Sequence, residues 1–286
     1  MKLGLLVSGD LGYAVLSLLK TQNAIVFVMT DKNSVLIKAY CINENIPCFI
    51  GNPRNEKSVS FIKNKYIDIL MSVNYLFLID ENLINHPNIL AFNIHGSLLP
   101  KYRGRTPHVW AIINGETYTG ITAHLIDKDC DSGDIIYQEK IPISSDNTGG
   151  DILNIFKYRY PQIVIKILKD ISSGNIIAKK QDENDSSYFP KRSPNDGRID
   201  LSLDSKNIYN WVRAQSFPYP GAYLFYDSNR VIVDQVKIID VDYDKSLKNG
   251  TVISVDPLLI KLKDGVIELA VLRDNKCTFK KNSILT

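Results

Sequence analysis

Short runs of apolar residues alternate with amphipathic segments along the first half of the chain. The apolar runs cover residues 2–8, 24–30, 67–72 and 89–94, with a shorter one at 47–50. Helix-like patterns lie between them, at 33–44 and 55–64. Apolar strands that are buried on both faces and separated by helices are typical of a parallel α/β sheet. The pattern predicts a Rossmann-like, mostly parallel sheet with helices on both faces.

The pattern of hydrophobic and polar residues changes near residue 222. Two further strands (119–126 and 135–143), a long helix (151–172) and a short helix (204–214) precede it. Beyond them, short alternating runs with turn signals predict a small all-β domain. We therefore expect a catalytic domain over 1–188, a polar linker over 189–205 and a small β-rich C-terminal domain over 206–286.

Composition narrows the class of protein. The 286 residues are 44% hydrophobic and 23% charged, which is typical of a globular protein. The net charge of 34 − 31 = +3 argues against a nucleic-acid partner. No apolar run reaches the roughly 20 residues that cross a membrane. The four cysteines show no paired spacing, so we expect free thiols and a cytoplasmic location.

Two polar side chains stand at the end of the apolar run 89–94. Asn93 and His95 are two residues apart, so in a strand they project to the same side. An amide beside an imidazole can stabilise an oxyanion and handle a proton. The alternative is ordinary, because a histidine at a strand end is often a hydrogen-bonded structural residue.

An acidic loop follows the strand at 119–126. Four carboxylates fall within residues 127–134, but their spacing is not that of a calcium-binding EF-hand loop. The segment could be a simple hairpin loop, or one carboxylate could orient His95 as the third member of a catalytic set. We expect no metal site. The other histidines (His86, His108 and His124) and Trp110 are expected to be structural.

The motifs around these residues resemble a known family. Asn93-x-His95, the run 97–104 and the Asp131-Ser-Gly-Asp segment are similar to the formyltetrahydrofolate-dependent formyltransferases, with a looser match over 208–222. The resemblance implies an enzyme that uses N10-formyltetrahydrofolate, with Asn93, His95 and Asp131 as catalytic residues. It also implies folate contacts in two segments, at Met71, Val73, Tyr75, Leu76 and Phe77 and at Ile126, Asp127 and Asp129.

The amine that accepts the formyl group is the open question within this family. The run 189–199 resembles the linker of nucleotide-sugar formyltransferases, and the loop 72–77 differs from that of the transfer-RNA enzymes. Residues 199–286 carry a net charge of only 12 − 11 = +1, whereas a domain that binds transfer RNA should be basic. These features favour a nucleotide-linked amino sugar, with dTDP-4-amino-4,6-dideoxyglucose as the best candidate, used for the O-antigen of lipopolysaccharide.

Cations and aromatic rings near the motifs are the candidate sugar-nucleotide contacts. We expect Lys101, Arg103 and Arg105 at the diphosphate, and Trp211, Arg213 and Tyr219 elsewhere on the same substrate. The alternatives are a methionyl-tRNA formyltransferase, a GDP-perosamine or UDP-amino-arabinose formyltransferase, a hydrolase that releases formate, and a non-catalytic folate- or nucleotide-binding module. A homodimer would cover the exposed edges of the β domain.

Overall fold

The computed structural model describes residues 1–19 and 24–286, which form two compact units. The first unit comprises residues 1–104, 120–141 and 154–189, and the second comprises 105–119, 142–153 and 190–286. None of the helices in these described ranges is long and apolar enough to span a membrane.

A seven-stranded sheet organises the first unit. Its strands are β1 (Lys2–Val7), β2 (Ala24–Thr30), β3 (Cys48–Ile50), β4 (Ile69–Val73), β5 (Leu90–His95), β7 (Tyr118–Leu125) and β8 (Ile135–Pro142). The spatial order is β3-β2-β1-β4-β5-β7-β8, and the first five strands of this order are parallel to one another. β7 pairs with β5 in the antiparallel direction. The predicted mixed α/β fold with a mostly parallel sheet is confirmed.

Helices flank this sheet and connect its strands. They are α1 (Gly9–Leu19), α2 (Val35–Asn43), α3 (Glu56–Ile62), α4 (Glu81–Ile84) and the long α6 (Gly149–Ser172). Strand β1 is apolar and buried from Leu3 to Val7, as a central parallel strand must be because helices cover both of its faces. A two-stranded ribbon of β6 (Arg103–Gly104) and β9 (Tyr188–Phe189) also belongs to this unit.

The second unit contains a five-stranded sheet with neighbouring antiparallel strands. It comprises β10 (Ala222–Tyr226), β11 (Asn229–Ile239), β12 (Val252–Val255), β13 (Leu258–Lys261) and β14 (Val266–Arg273), in the order β10-β11-β14-β13-β12. Helices α5 (Pro107–Ile113) and α7 (Ser205–Gln215) complete the unit. Asp204 caps α7 by accepting the Asn207 N–H, and Ile208 and Val212 place its apolar face in the core of the unit.

The predicted polar linker over 189–205 and the polar residues just before it are more structured than their composition suggests. Residues 181–189 belong to the first unit, where Tyr188 and Phe189 pair with Arg103 and Gly104. Residues 194–197 form a single 3-10 turn in the second unit. Polar composition conceals this order, because the segment is held by hydrogen bonds and contributes little apolar surface.

Candidate functional site

The site is built where β5 ends. Asn93 and His95 lie at the carboxyl end of this strand, and His95 is its last residue. The strand alternation brings both side chains to one side, as predicted. The chain then turns into residues 96–104, and the Asp131 loop approaches from the end of β7. Open α/β sheets bind their ligands at this edge.

Asp131 is the point on which the polar groups converge. One carboxylate oxygen, Oδ2, lies 3.5 Å from His95 Nδ1 and accepts the backbone N–H of Gly104 at 2.9 Å. The other, Oδ1, lies 3.4 Å from Asn93 Nδ2. The side chain of Asp131 is 11% exposed and that of His95 is 7% exposed. The structure therefore brings together the three residues that the family resemblance predicts as catalytic.

The surroundings of Asp131 favour its ionised form. Burial by itself raises the pKa of a carboxyl group, and it does so here. The positive charge of His95 and His124 in their protonated forms, together with the Gly104 N–H, outweighs this effect and holds the pKa of Asp131 below its ordinary value. The loop thus presents a buried carboxylate to the imidazole of His95 at neutral pH.

The protons on His95 follow from its contacts. Nε2 lies 2.8 Å from the carbonyl oxygen of Tyr102, which can only accept, so Nε2 carries a proton. In the neutral ring the lone pair is then on Nδ1, which faces Asp131. Protonation of Nδ1 would convert this contact into an ion pair. The geometry suits a group that takes up a proton and has its new charge stabilised.

His124 is a site residue that the sequence analysis missed. Its Nδ1 lies 2.8 Å from the Leu125 carbonyl oxygen and so carries the proton, which leaves Nε2 to accept the Asn93 Nδ2–H at 3.1 Å. Nε2 also lies 3.5 Å from Asp131 Oδ1, but with its lone pair directed at Asn93 we assign the shorter contact as the hydrogen bond. His124 therefore fixes the orientation of the Asn93 carboxamide. The sequence analysis expected this histidine to be structural.

Two glycines let the backbone come close enough to form the site. Gly104 has a positive φ of 97°, and a Cβ atom there would lie 2.3 Å from the Phe189 carbonyl oxygen. A Cβ atom on Gly133 would lie 1.9 Å from the Leu125 carbonyl oxygen. Side chains at either position would move the Gly104 N–H or the Asp131 loop, so both approaches require glycine.

The predicted folate contacts divide into core and surface groups. Met71 and Val73 are wholly buried, and Tyr75 is 8% exposed, so these side chains belong to the core. Leu76 is 42% exposed, and Phe77 and Ile126 are half-buried against the apolar cluster that contains Tyr75. The two predicted segments therefore border one apolar surface.

The carboxylates predicted as folate contacts lie in the acidic loop, and Asp127 forms hydrogen bonds within that loop. Asp127 accepts the Asp129 N–H at 3.2 Å and the Ser132 hydroxyl at 2.8 Å, while Asp129 is exposed. In the part of the chain that the structure describes, no three histidine, cysteine, aspartate or glutamate side chains could hold a metal ion.

Two of the predicted substrate cations bind the protein itself. The Arg103 guanidinium is buried and donates to Gln181 and Glu183, and that of Arg213 donates to Asn210 and to the carbonyl oxygens of Ser144 and Asn147. Sequence spacing could not reveal these partners, which are distant along the chain. Lys101 is exposed and Arg105 is half-buried.

The predicted aromatic contacts belong to the second unit. Trp211 is half-buried under the Arg192 guanidinium, 4.6 Å from its ring centroid. The Tyr219 hydroxyl lies 2.6 Å from His108 Nε2, and burial raises the pKa of this phenol. Each ring keeps some exposed surface, although protein groups already occupy part of it.

Family models match both parts of the chain. One described as formyl transferase matches residues 5–168, and one described as formyl transferase, C-terminal domain, matches residues 191–284. The chain is 34% identical over 242 residues to the bifunctional polymyxin resistance protein ArnA of Wigglesworthia glossinidia brevipalpis. That match covers 84% of this chain and 36% of the relative, so the chain spans about a third of its length.

Solved structures show the same fold. An N-formyltransferase from Helicobacter canadensis, in complex with folinic acid and dTDP-3-aminofucose, matches with a TM-score of 0.70 and 20% identity over 94% of this chain and 98% of that one. A 4-N formyltransferase from Francisella tularensis matches with a TM-score of 0.68 and 25% identity over 81% and 96% of the two chains.

Proposed function

Since the chain belongs to the formyl transferase family, we propose that it transfers a formyl group from N10-formyltetrahydrofolate to the amino group of a nucleotide-linked amino sugar. The observation that carries the proposal is the convergence of Asn93, His95 and Asp131 at the end of β5. A carboxamide donor, an imidazole and a buried carboxylate are the groups that acyl transfer to an amine requires.

The residues beside this set suit a folate. A pterin ring has two apolar faces and a polar edge, and Leu76, Phe77 and Ile126 offer apolar side chains next to the polar groups of the site. The folate would supply the formyl group: the amine forms a bond to the formyl carbon, the bond from that carbon to N10 breaks, and N10 takes up a proton as tetrahydrofolate leaves. We assign Leu76, Phe77 and Ile126 to its binding surface, with Met71, Val73 and Tyr75 as the core that supports them.

Asn93 is the proposed donor to the formyl oxygen, on which negative charge develops. One of its two amide hydrogens is held by His124, which fixes the plane of the carboxamide. The second has only the longer 3.4 Å contact with Asp131, and we assign it to the oxyanion. Removing one such donor costs about 10²–10³-fold in turnover.

His95 is the proposed acceptor of the amine proton. Its Nδ1 carries the lone pair in the neutral ring, and Asp131 stands 3.5 Å away to stabilise the imidazolium that forms. Histidine is the side chain that most often accepts a proton in catalysis near neutral pH. Asp131 stays ionised throughout, which agrees with the direction of its pKa.

A nucleotide sugar is the acceptor we propose. The near-neutral charge of residues 199–286 disfavours transfer RNA, and the similar Helicobacter N-formyltransferase was solved in complex with dTDP-3-aminofucose. The Francisella enzyme modifies a 4-amino group and the Helicobacter complex contains a dTDP sugar. The first supports a 4-amino group and the second a dTDP carrier, and we propose dTDP-4-amino-4,6-dideoxyglucose, an O-antigen precursor, as the specific acceptor. We retain Lys101 and Arg105 as diphosphate contacts.

The test is a panel of acceptors incubated with N10-formyltetrahydrofolate. It contains dTDP-4-amino-4,6-dideoxyglucose, GDP-perosamine, UDP-amino-arabinose, methionyl-tRNA and a reaction without acceptor, each read by mass spectrometry. We expect one formyl group on a nucleotide sugar, and none with His95→Ala. Formylation of methionyl-tRNA alone would overturn the choice of acceptor. Release of formate without an acceptor would indicate a hydrolase, and folate binding without any product would indicate a binding module.

A further inference from the structure

The carboxamide of Gln181 joins two segments that form the site. Its Nε2 donates to the carbonyl oxygens of Asp131 at 2.9 Å and Gly133 at 2.8 Å. Its Oε1 accepts from Arg103 Nε at 3.2 Å and Nη2 at 2.8 Å. The two hydrogens and two lone pairs of the amide are all used, so the orientation of this side chain is fully determined.

The backbone that Gln181 holds is in an unusual conformation. Asp131 has a φ of 56°, in the left-handed region that residues other than glycine, asparagine and aspartate rarely enter. Aspartate can adopt this conformation, and the surrounding hydrogen bonds select it here over the commoner ones. The Gln181 N–H groups bind the carbonyl oxygens on either side of Ser132, and thereby fix the peptide planes that follow Asp131. The direction of the Asp131 side chain depends on those planes.

The other end of the carboxamide is attached to the strand that holds the Asp131 carboxylate. Arg103 is 9% exposed and its guanidinium also pairs with Glu183 at 2.7 Å, so burial and this ion pair hold its side chain in place. The next residue, Gly104, donates its N–H to Asp131 Oδ2 at 2.9 Å. Gln181 therefore ties the backbone of Asp131 to the ribbon whose amide binds the carboxylate of the same residue.

We propose that Gln181 is a positioning residue for formyl transfer, acting through Asp131. The inference rests on the function proposed above. The hydrogen bonds of the Gln181 carboxamide go to Asp131, Gly133 and Arg103 rather than to the Asn93 carboxamide or the His95 ring, so its effect on chemistry is indirect. Arg103, which the sequence assigns to the substrate diphosphate, is in this view the anchor for Gln181.

Two variants separate the roles of the amide. Gln181→Met keeps the length of the side chain and removes both donors and the acceptor. Gln181→Glu keeps the acceptor for Arg103 and removes the donors. Gln162→Met is the matched control, because its amide accepts from Arg159 on α6 and has no place in the proposed machinery. Thermal unfolding establishes that each variant is folded.

Both Gln181 variants should lower kcat by roughly 10- to 100-fold, since a displacement of about 1 Å in a reacting constellation can cost that much. KM for the folate should not change, because its proposed apolar contacts at Leu76, Phe77 and Ile126 lie outside the segments that Gln181 holds. Backbone hydrogen exchange should accelerate in peptides covering residues 101–105 and 127–135. A purely structural role would lower the thermal midpoint and leave kcat of the folded fraction at the control value.

The outcomes are decisive in each case. Wild-type kcat and unchanged exchange in a folded Gln181 variant would overturn the inference. If Gln181→Met does not fold, Gln181→Glu decides by the same measurements. If the wild-type protein formylates no acceptor, the proposed function fails, while hydrogen exchange still reports whether Gln181 holds the Asp131 loop.

Discussion

Replacing Asp131 with asparagine isolates the charge of the site. Asparagine has the same shape and enters the left-handed region as readily as aspartate, so the backbone at φ 56° is preserved. The amide oxygen can still accept the Gly104 N–H. The substitution removes the negative charge 3.5 Å from His95 Nδ1 and replaces the Oδ1 acceptor beside Asn93 Nδ2 with an amide NH2.

The size of the effect follows from that distance. When His95 accepts a proton, a charge pair at this separation is worth about 5 kcal/mol at an effective dielectric constant of about 20. Part of this is recovered by the amide dipole and by water. We therefore expect Asp131→Asn to lower kcat by about 10²–10³-fold, where each tenfold step corresponds to about 1.36 kcal/mol. KM for the nucleotide sugar should stay close to wild type.

The same substitution changes how stability depends on pH. The pKa of Asp131 is lowered in the folded protein, so its ionised form stabilises the fold at every pH above the unfolded value of about 3.9. This contribution is lost as the pH falls through the folded pKa. The difference in unfolding free energy between wild type and Asp131→Asn should be about 1–3 kcal/mol at pH 7, as for hydrogen bonds to a charged group, and should shrink below pH 4.

The assays are formyl transfer at saturating substrate and urea unfolding from pH 3 to pH 7. Asp134→Asn is the control, since it removes a carboxylate from the same loop outside the proposed catalytic set. A folded Asp131→Asn protein with wild-type kcat would refute the role of the carboxylate. A stability difference that grows toward acid pH would refute the assigned direction of its pKa.

Three further substitutions test other parts of the site. His124→Phe removes the acceptor for Asn93 and should lower kcat by roughly 10-fold with unchanged KM, measured by steady-state kinetics. Leu76→Asp should raise KM for the folate by roughly 10-fold, because it removes apolar contact area from the proposed binding surface. Ile177→Asp, a substitution at an 84% exposed position, should leave this KM unchanged. Gly133→Ala should lower both the thermal midpoint and kcat, because the added Cβ atom would overlap the Leu125 carbonyl oxygen and displace the Asp131 loop.

Local patterns predicted the parts of the protein that depend on neighbouring residues. The apolar runs indicated the central strands because β1 and β4 are buried on both faces. The i, i+2 spacing placed Asn93 and His95 on one side of β5 because a strand alternates. Asp131 required the family resemblance, since nothing in its own segment distinguishes it from the other carboxylates of the acidic loop.

Partners that come from distant parts of the chain could not be predicted in this way. His124 lies opposite Asn93 because β7 runs antiparallel to β5, and the composition of β7 does not predict its direction. Arg103 looked like a phosphate ligand because it sits among basic residues. Its actual partners, Gln181 and Glu183, come some 80 residues later in a segment with the composition of a linker.

The site combines a rigid part with a part that needs support. Asn93 and His124 occupy adjacent strands, where ladder hydrogen bonds fix the donor to the proposed oxyanion without further help. Asp131 lies on a loop with a left-handed backbone, so the position of its carboxylate depends on the Gly104 N–H that binds it and on the hydrogen bonds by which Gln181 holds the loop backbone. Proton transfer to His95 is therefore the step most exposed to changes outside the catalytic residues. Substitutions in the segment 181–189 should therefore lower kcat more than they raise KM for the folate.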